Sequence, residues 1–240
     1  EGAFAQPAQY GGVLDLDATI RGTRESPIVT GHITIVNGRV QRVSYEKLAG
    51  RVDYTNGMFE IDLRLDQEPG VWLTATGTVP LSLMRKTMPE RPIDVAILSS
   101  PIDFGLVEGL TDVVRDVTGT MHVDVKAIGT SHDPHFQGKL ELADAGFLVN
   151  ATGAQYKNAR ASLQLARDRI VVNALHLEDR RGHALDVQGS LATHELQVGD
   201  LEIDAVARQF ELLRNEFGNI EADATLSLRG RFDRPRLGGA

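Results

Sequence analysis

The chain has 240 residues, no cysteine, one tryptophan, 42% hydrophobic residues and a net charge of −8. That length fits one large domain or two ordinary ones, and the missing thiols exclude disulfides and thiolate chemistry. Acid and base are interspersed along the sequence, so it offers no basic patch for nucleic acid or an anionic membrane surface, and no apolar run approaches the ~18 residues of a membrane span.

The opening EGAFAQPAQY lacks the basic start and apolar centre of a signal peptide. The first patterned element is LDLDATIR. It sets Leu14, Leu16, Ala18 and Ile20 against Asp15, Asp17, Thr19 and Arg21, the period of a half-buried strand. A hairpin device follows, with Gly22 for the turn, Pro27 to open the returning strand and Gly31 as a bulge or close-approach point. The returning HITIV carries Ile33 and Ile35 on one face. FEIDLRL then places Phe59, Ile61, Leu63 and Leu65 opposite Glu60, Asp62 and Arg64, and VWLTATGTV sets Val71, Leu73 and Ala75 against Trp72, Thr74 and Thr76. DFGLVEGLTDVVRDV breaks the alternation. Phe104, Val107, Leu110 and Val114 stand at helical spacing, which predicts a short helix over 103–116.

The same series then begins again. MHVDVKA carries Met121, Val123 and Val125, and Gly129, Pro134 and Gly138 rebuild the hairpin. Leu140 and Leu142, then Ala161, Leu163 and Leu165, then Leu185, Val187 and Leu191 continue the apolar side. Val206, Phe210, Leu213 and Phe217 predict a second helix over 205–217. ADATLSLR, with Ala224, Leu226 and Leu228, leads into a third device at Gly230, Pro235 and Gly239. The unit is 107 and then 101 residues long, so internal repetition organises the chain. It divides into a first repeat over 1–118, a second over 119–220 and the start of a truncated third over 221–240. The chain therefore reads as a piece of a longer protein. A further Gly2, Pro7, Gly11 match stands 20 residues before the first device.

The sequence carries no nucleophile elbow, phosphate loop, zinc-protease helix or dinucleotide fingerprint. His132, Asp133 and His135 gather in HDPH, but in a hairpin turn whose counterparts hold no histidine, so they read as a solvated turn. Asp15, Asp17, Asp62, Asp124 and Asp186 fall on the polar faces of strands, where solubility is the ordinary reading. Neither a catalytic residue nor a metal or cofactor site is expected. What remains is a one-sided apolar surface, which must be buried in a sandwich, in a closed barrel or against something apolar. Few aromatics and an unbroken Leu/Val/Ile stripe favour a continuous wall built by repetition.

A strand, Gly-Thr, a polar turn, Pro, Gly and an alternating strand followed by Asn37-Gly38-Arg39-Val40 resembles the C-terminal conserved region of the TamB family of bacterial envelope proteins, related to the AsmA-like group. Gly22-Thr23, Pro27 and Gly31 carry the pattern, as do Gly129-Thr130, Pro134 and Gly138. Arg231 replaces Thr in the third copy, and DAGFLV (144–149) departs by one inserted residue. The likeness covers nearly the whole chain. It implies an all-β, elongated sheet curled into an open apolar-lined trough (a β-taco), in a periplasmic protein anchored in the inner membrane. It also implies an outer-membrane partner of the Omp85 type, similar to TamA, and a role in phospholipid transport or in outer-membrane protein assembly. The expected contacts of the trough wall are then lipid acyl chains.

Overall fold

A computed structural model describes residues 10–85, 87–109, 111–194, 197–216, 218–231 and 234–239. They form one open antiparallel sheet of fifteen strands. The first half contains β1 (Tyr10–Gly22), β2 (Pro27–Val40), β3 (Val43–Thr55), β4 (Met58–Glu68), β5 (Val71–Pro80), β6 (Pro92–Ser99) and β7 (Ile102–Asp103). The second contains β8 (Val114–Thr130), β9 (Pro134–Val149), β10 (Gln155–Ala166), β11 (Arg169–Asp179), β12 (Ala184–His194), β13 (Gln197–Asn215), β14 (Gly218–Arg231) and β15 (Arg236–Gly239). Neighbours in the chain are neighbours in the sheet, except that β6 pairs with β8 and the two-residue β7 attaches to β8 alone.

The connections therefore lie alternately on two edges of the sheet. One edge holds the glycine–proline hairpins. Gly22, Gly129 and Gly230 there have φ of 84°, 105° and 96°, a region that glycine enters without a Cβ penalty. Pro27 and Pro134 are the first residues of β2 and β9, and Pro235 immediately precedes β15. Gly138 is a close-approach point: at φ 129°, a Cβ would strike the Asp124 carbonyl oxygen and lie 2.9 Å from the Val125 Cα. Its pairing with β8 is regular, so no bulge forms there, nor at Gly31. The earlier match beginning at Gly2 lies outside the described residues apart from Gly11.

The two expected helices need correction. Over 103–116 only a six-residue 3-10 helix forms, Phe104–Gly109, and strand resumes at Val114. Leu110, which was to extend the stripe, is outside the described residues. Gly105 and Gly109 disfavour a longer helix, and Gly105 sits so close to Val43 that a Cβ would be 2.6 Å from its Cγ2. Over 205–216 no helix forms: β13 runs through to Asn215, hydrogen-bonded on both sides, and Phe217, the last residue of the expected stripe, lies outside the described residues. Leu201, Ile203, Ala205 and Ala207 already alternate. The register then shifts between Ala207 and Phe210, with Gln209 at φ 51°. That extra residue turns Phe210 to the side of Ala207 while Val206 stays on the other face, so the Val206, Phe210 spacing marks no helical stripe.

Candidate functional site

The register turns the alternation of single strands into rows that cross the sheet. One row reads Leu16, Ile33, Gly50, Leu63, Ala75, Ile97 and Val125 through the first half, each opposite the next. It continues through Gly138, Leu165, Ile170, Leu191, Leu201 and Gly230. Thirteen strands thus contribute only aliphatic side chains or glycine.

The next row runs Leu14, Ile35, Leu48, Leu65, Leu73 and Ser99. The Ser99 hydroxyl accepts the Val123 N–H at 2.9 Å, and Val123, Leu140, Leu163, Val172, Gly189, Ile203, Leu228 and Leu237 carry the row on. Met121, Leu142, Ala161, Leu175, Val187, Ala205 and Leu226 form a third. Leu177 and Leu185 pair beside it, and in the first half Ile61, between Val52 and Gly77, lies on the hairpin side of the first row. Ile20, Val29, Tyr54, Phe59 and Val79 make a row near the hairpin edge, where the Tyr54 and Phe59 rings meet at 5.0 Å. Val71 begins β5 two residues before Leu73, on the same side.

The apolar positions of the alternating segments, from Leu14 on β1 to Leu228 on β14, therefore share one face. Sequence reasoning missed Leu48 and Val52 on β3, Ile97 on β6, and Val172 and Leu175 on β11. The signal was present in KLAGRVDY, where Gly50 interrupts an otherwise regular alternation.

The other face is polar. Its row opposite the first reads Asp17, His32, Arg51, Asp62, Thr76, Ala96 and Lys126. Ion pairs stitch this face: Arg51–Asp53 at 3.1 Å, Arg64–Asp66 at 2.8 Å, Lys126–Asp94 at 3.0 Å and Arg229–Asp204 at 2.8 Å. The Arg229 guanidinium holds the Asp204 carboxyl below its usual range, and Arg64 lies over the Trp72 ring at 5.2 Å. In the HDPH turn, His135 lies 3.4 Å from Asp133 and 3.0 Å from Asp168.

Few residues of the apolar face are fully covered. Most are half-buried, and on the edge strand β1 Leu16 is 62% and Ile20 74% exposed. The total accessible surface is 15,029 Å². A globular chain of this mass would expose only about 10,600 Å², an excess of roughly 4,500 Å².

Cover exists locally, along the edge opposite the glycine–proline hairpins. There Tyr156 of β10 stacks on Phe210 of β13 at 5.1 Å, with Phe147 edge-on to Tyr156 at 5.7 Å. Ala154 and Ala207 complete this cluster, and Leu177 and Leu185 of the apolar face pack against it. Strands β10 and β13 are three apart in the sheet order, so the sheet bends here toward its apolar side. Polar bonds hold the bend. Arg214 N–H donates to the Thr152 carbonyl at 2.8 Å, and the Tyr156 hydroxyl donates to the Glu211 carbonyl at 3.1 Å.

Beneath them Asp179, 1% exposed, accepts N–H bonds from Arg181 (2.8 Å), His183 (2.9 Å) and Glu211 (3.2 Å). Burial pushes this carboxyl up, but the three N–H bonds and the nearby His183 together hold it below the ordinary range. Burial, then the Glu211 and Asp179 charges, push the Tyr156 phenol up. A second covered patch on the same edge buries Val43, Tyr45, Ile102 and Val117 near the 3-10 helix.

No family model, curated protein or solved structure matches the chain.

Proposed function

We propose that this sheet holds lipid acyl chains on its apolar face, as a segment of a periplasmic bridge that carries phospholipid between the inner and outer membranes. The trough that the TamB resemblance implies is the form this reading gives the sheet, with an Omp85-type protein as the partner of the parent. One observation carries the reading: a row of aliphatic side chains and glycine that no polar residue interrupts across thirteen strands, in an open sheet whose total accessible surface is some 40% above that of a globular chain. An apolar face left only half-covered across so many strands marks a binding surface, and its regular chemistry suits a hydrocarbon chain. The mechanism is passive. Tails lie against Leu, Ile and Val side chains, head groups stay in water, and each buried methylene contributes about 0.8 kcal/mol. No catalytic residue takes part.

The test is native mass spectrometry of the purified protein, with extraction of whatever lipid travels with it. Copurifying phospholipid is expected. A lipid-free protein that also fails to take up added phospholipid refutes the reading.

A second reading has its own support. β1 is an edge strand of thirteen residues, exposed throughout and paired only to β2. Long unpaired edges accept added strands, so the same sheet could act as a scaffold that pairs with strands of outer-membrane barrel proteins during assembly. Crosslinks from β1 to such strands, unaffected by charges on the apolar face, favour the scaffold over the conduit.

A further inference from the structure

The two edges of the sheet differ in charge, although the sequence mixes acid and base throughout. Consider each connection together with the two strand residues on either side. Among the described residues, the glycine–proline edge then holds nine arginines against four Asp and Glu, and the opposite edge six against seven. Partnering differs as well. At the opposite edge three of the six are paired, Arg42 with Asp116, Arg181 with Glu221 at 2.8 Å and Arg214 with Glu211 at 3.0 Å, while Arg39, Arg115 and Arg180 form no ion pair among the described residues. At the glycine–proline edge Arg21, Arg24, Arg85, Arg91, Arg167 and Arg169 are exposed and form no ion pair among the described residues. Net basic charge thus collects on one edge of an apolar face, and aromatic cover on the other.

We infer that the sheet binds an anionic phospholipid with a fixed polarity: phosphate at the arginine-rich glycine–proline edge, acyl tail along the strands toward the Tyr156–Phe210 stack. This rests on the acyl-binding reading above and narrows it. Charge complementarity argues for the occupant: Arg24, Arg85, Arg91 and Arg167 lie in the connections that end the apolar face, with Arg21 and Arg169 beside them at the strand ends on the polar side, and free guanidinium groups there match a molecule that joins a phosphate to a hydrocarbon chain. Length argues for the orientation. From Leu201 to Ala207 the face runs six residues, about 20 Å at the rise of a strand. A zigzag of carbon–carbon bonds near 1.5 Å advances roughly 1.25 Å per atom, so a tail of about 16 carbons fits between the arginines and the stack. The reverse orientation would press the head group into the buried Tyr156, Phe210 and Ala207, where a phosphate finds no water.

The test uses single-chain probes below their micelle concentration with equal tails: lysophosphatidylglycerol, lysophosphatidylcholine and a monoacylglycerol without phosphate. Calorimetry gives each affinity, with inorganic phosphate as a separate titrant. Lysophosphatidylglycerol should bind about 10-fold tighter than the monoacylglycerol. That margin should vanish in the double variant Arg167→Glu, Arg169→Glu and persist in Arg39→Glu at the opposite edge. All three residues are exposed, and circular dichroism verifies the fold. A nitroxide on the last tail carbon should broaden the amide signals of Tyr156 and Phe210 more than those of Gly129 and Ala166.

Equal affinity for all three probes overturns the inference while leaving acyl binding intact, and so does broadening centred on the glycine–proline edge. Inorganic phosphate bound as tightly as the anionic lipid makes the edge a free-phosphate site and also overturns it. If no probe binds, the acyl-binding reading itself falls.

Discussion

Leu163→Arg tests the apolar face at its middle. Leu163 stands on β10 between Leu140 and Val172 in its row, with Ala161 and Leu165 on either side along the strand. It is half-buried, so its removal costs about 1 kcal/mol, half of what a fully buried leucine contributes. The arginine stem recovers part of that by lying along neighbouring side chains while its head reaches water. Stability should therefore fall by no more than about 1 kcal/mol, a 2–4 °C drop in melting temperature for a chain of this size. A lipid tail crossing the same spot must strip water from the guanidinium, which costs several kcal/mol. Even a 2 kcal/mol share of that weakens tail binding about 30-fold. Asp124→Ala, on the polar face, should leave binding unchanged. The assay pairs thermal unfolding with lipid copurification measured by native mass spectrometry. A Leu163→Arg protein that folds and carries as much lipid as the parent chain refutes the conduit for this segment.

Gly138→Ala should destabilise by about 3 kcal/mol or more, because its Cβ meets the Asp124 carbonyl and forces β8 and β9 apart. Gly182→Ala, with nothing within 4 Å, should cost only the strain of φ 88°, about 1–2 kcal/mol; equal costs in chemical denaturation would contradict the close approach. Phe210→Ala, at 1% exposure in the stack, should cost about 3–5 kcal/mol and free Tyr156 to titrate nearer its ordinary value in a spectrophotometric titration. Asp179 has a lowered pKa in the folded state, so its contribution is present above the unfolded value near 3.9 and is lost as pH falls through the folded one. Asp179→Asn should therefore be less stable at neutral pH yet lose less on going from pH 5 to 2, measured by denaturant midpoints at each pH.

Much of the sheet was legible because a strand with one apolar side writes itself as alternation. LDLDATIR and FEIDLRL each show which side chains share a face, and the glycine–proline hairpins mark where β1 and β8 turn back. Two things were not legible. A bulge inserts one residue and changes phase, so Val206 and Phe210, which read as one helical stripe, lie on opposite faces of β13, and Phe210 is buried beside Ala207. Charge polarity was hidden because Arg21, Arg91 and Arg167 are far apart in the chain and meet on one edge only after the meander folds. His135 shows the same limit in reverse: HDPH looked self-contained, yet its closest acidic partner is Asp168 from the next hairpin, at 3.0 Å.

The rows also bear on whether the face suits movement or storage. A tail lying along one strand that shifts to the next, about 4.8 Å away, finds the same aliphatic chemistry at the same register. Its free energy then changes little from step to step. A free polar group or a deep pocket in the row would trap it, and neither occurs where one was most to be expected. Ser99 stands between Leu73 and Val123, but its oxygen already holds the Val123 N–H and the residue is 4% exposed. Gly50, Gly138, Gly189 and Gly230 thin the wall without adding a polar side chain. Along the strands the situation is the opposite, because the Tyr156–Phe210 stack blocks one end. Under the acyl-binding reading, a tail is therefore held in one direction and free in the other, so transfer runs from strand to strand, across the sheet.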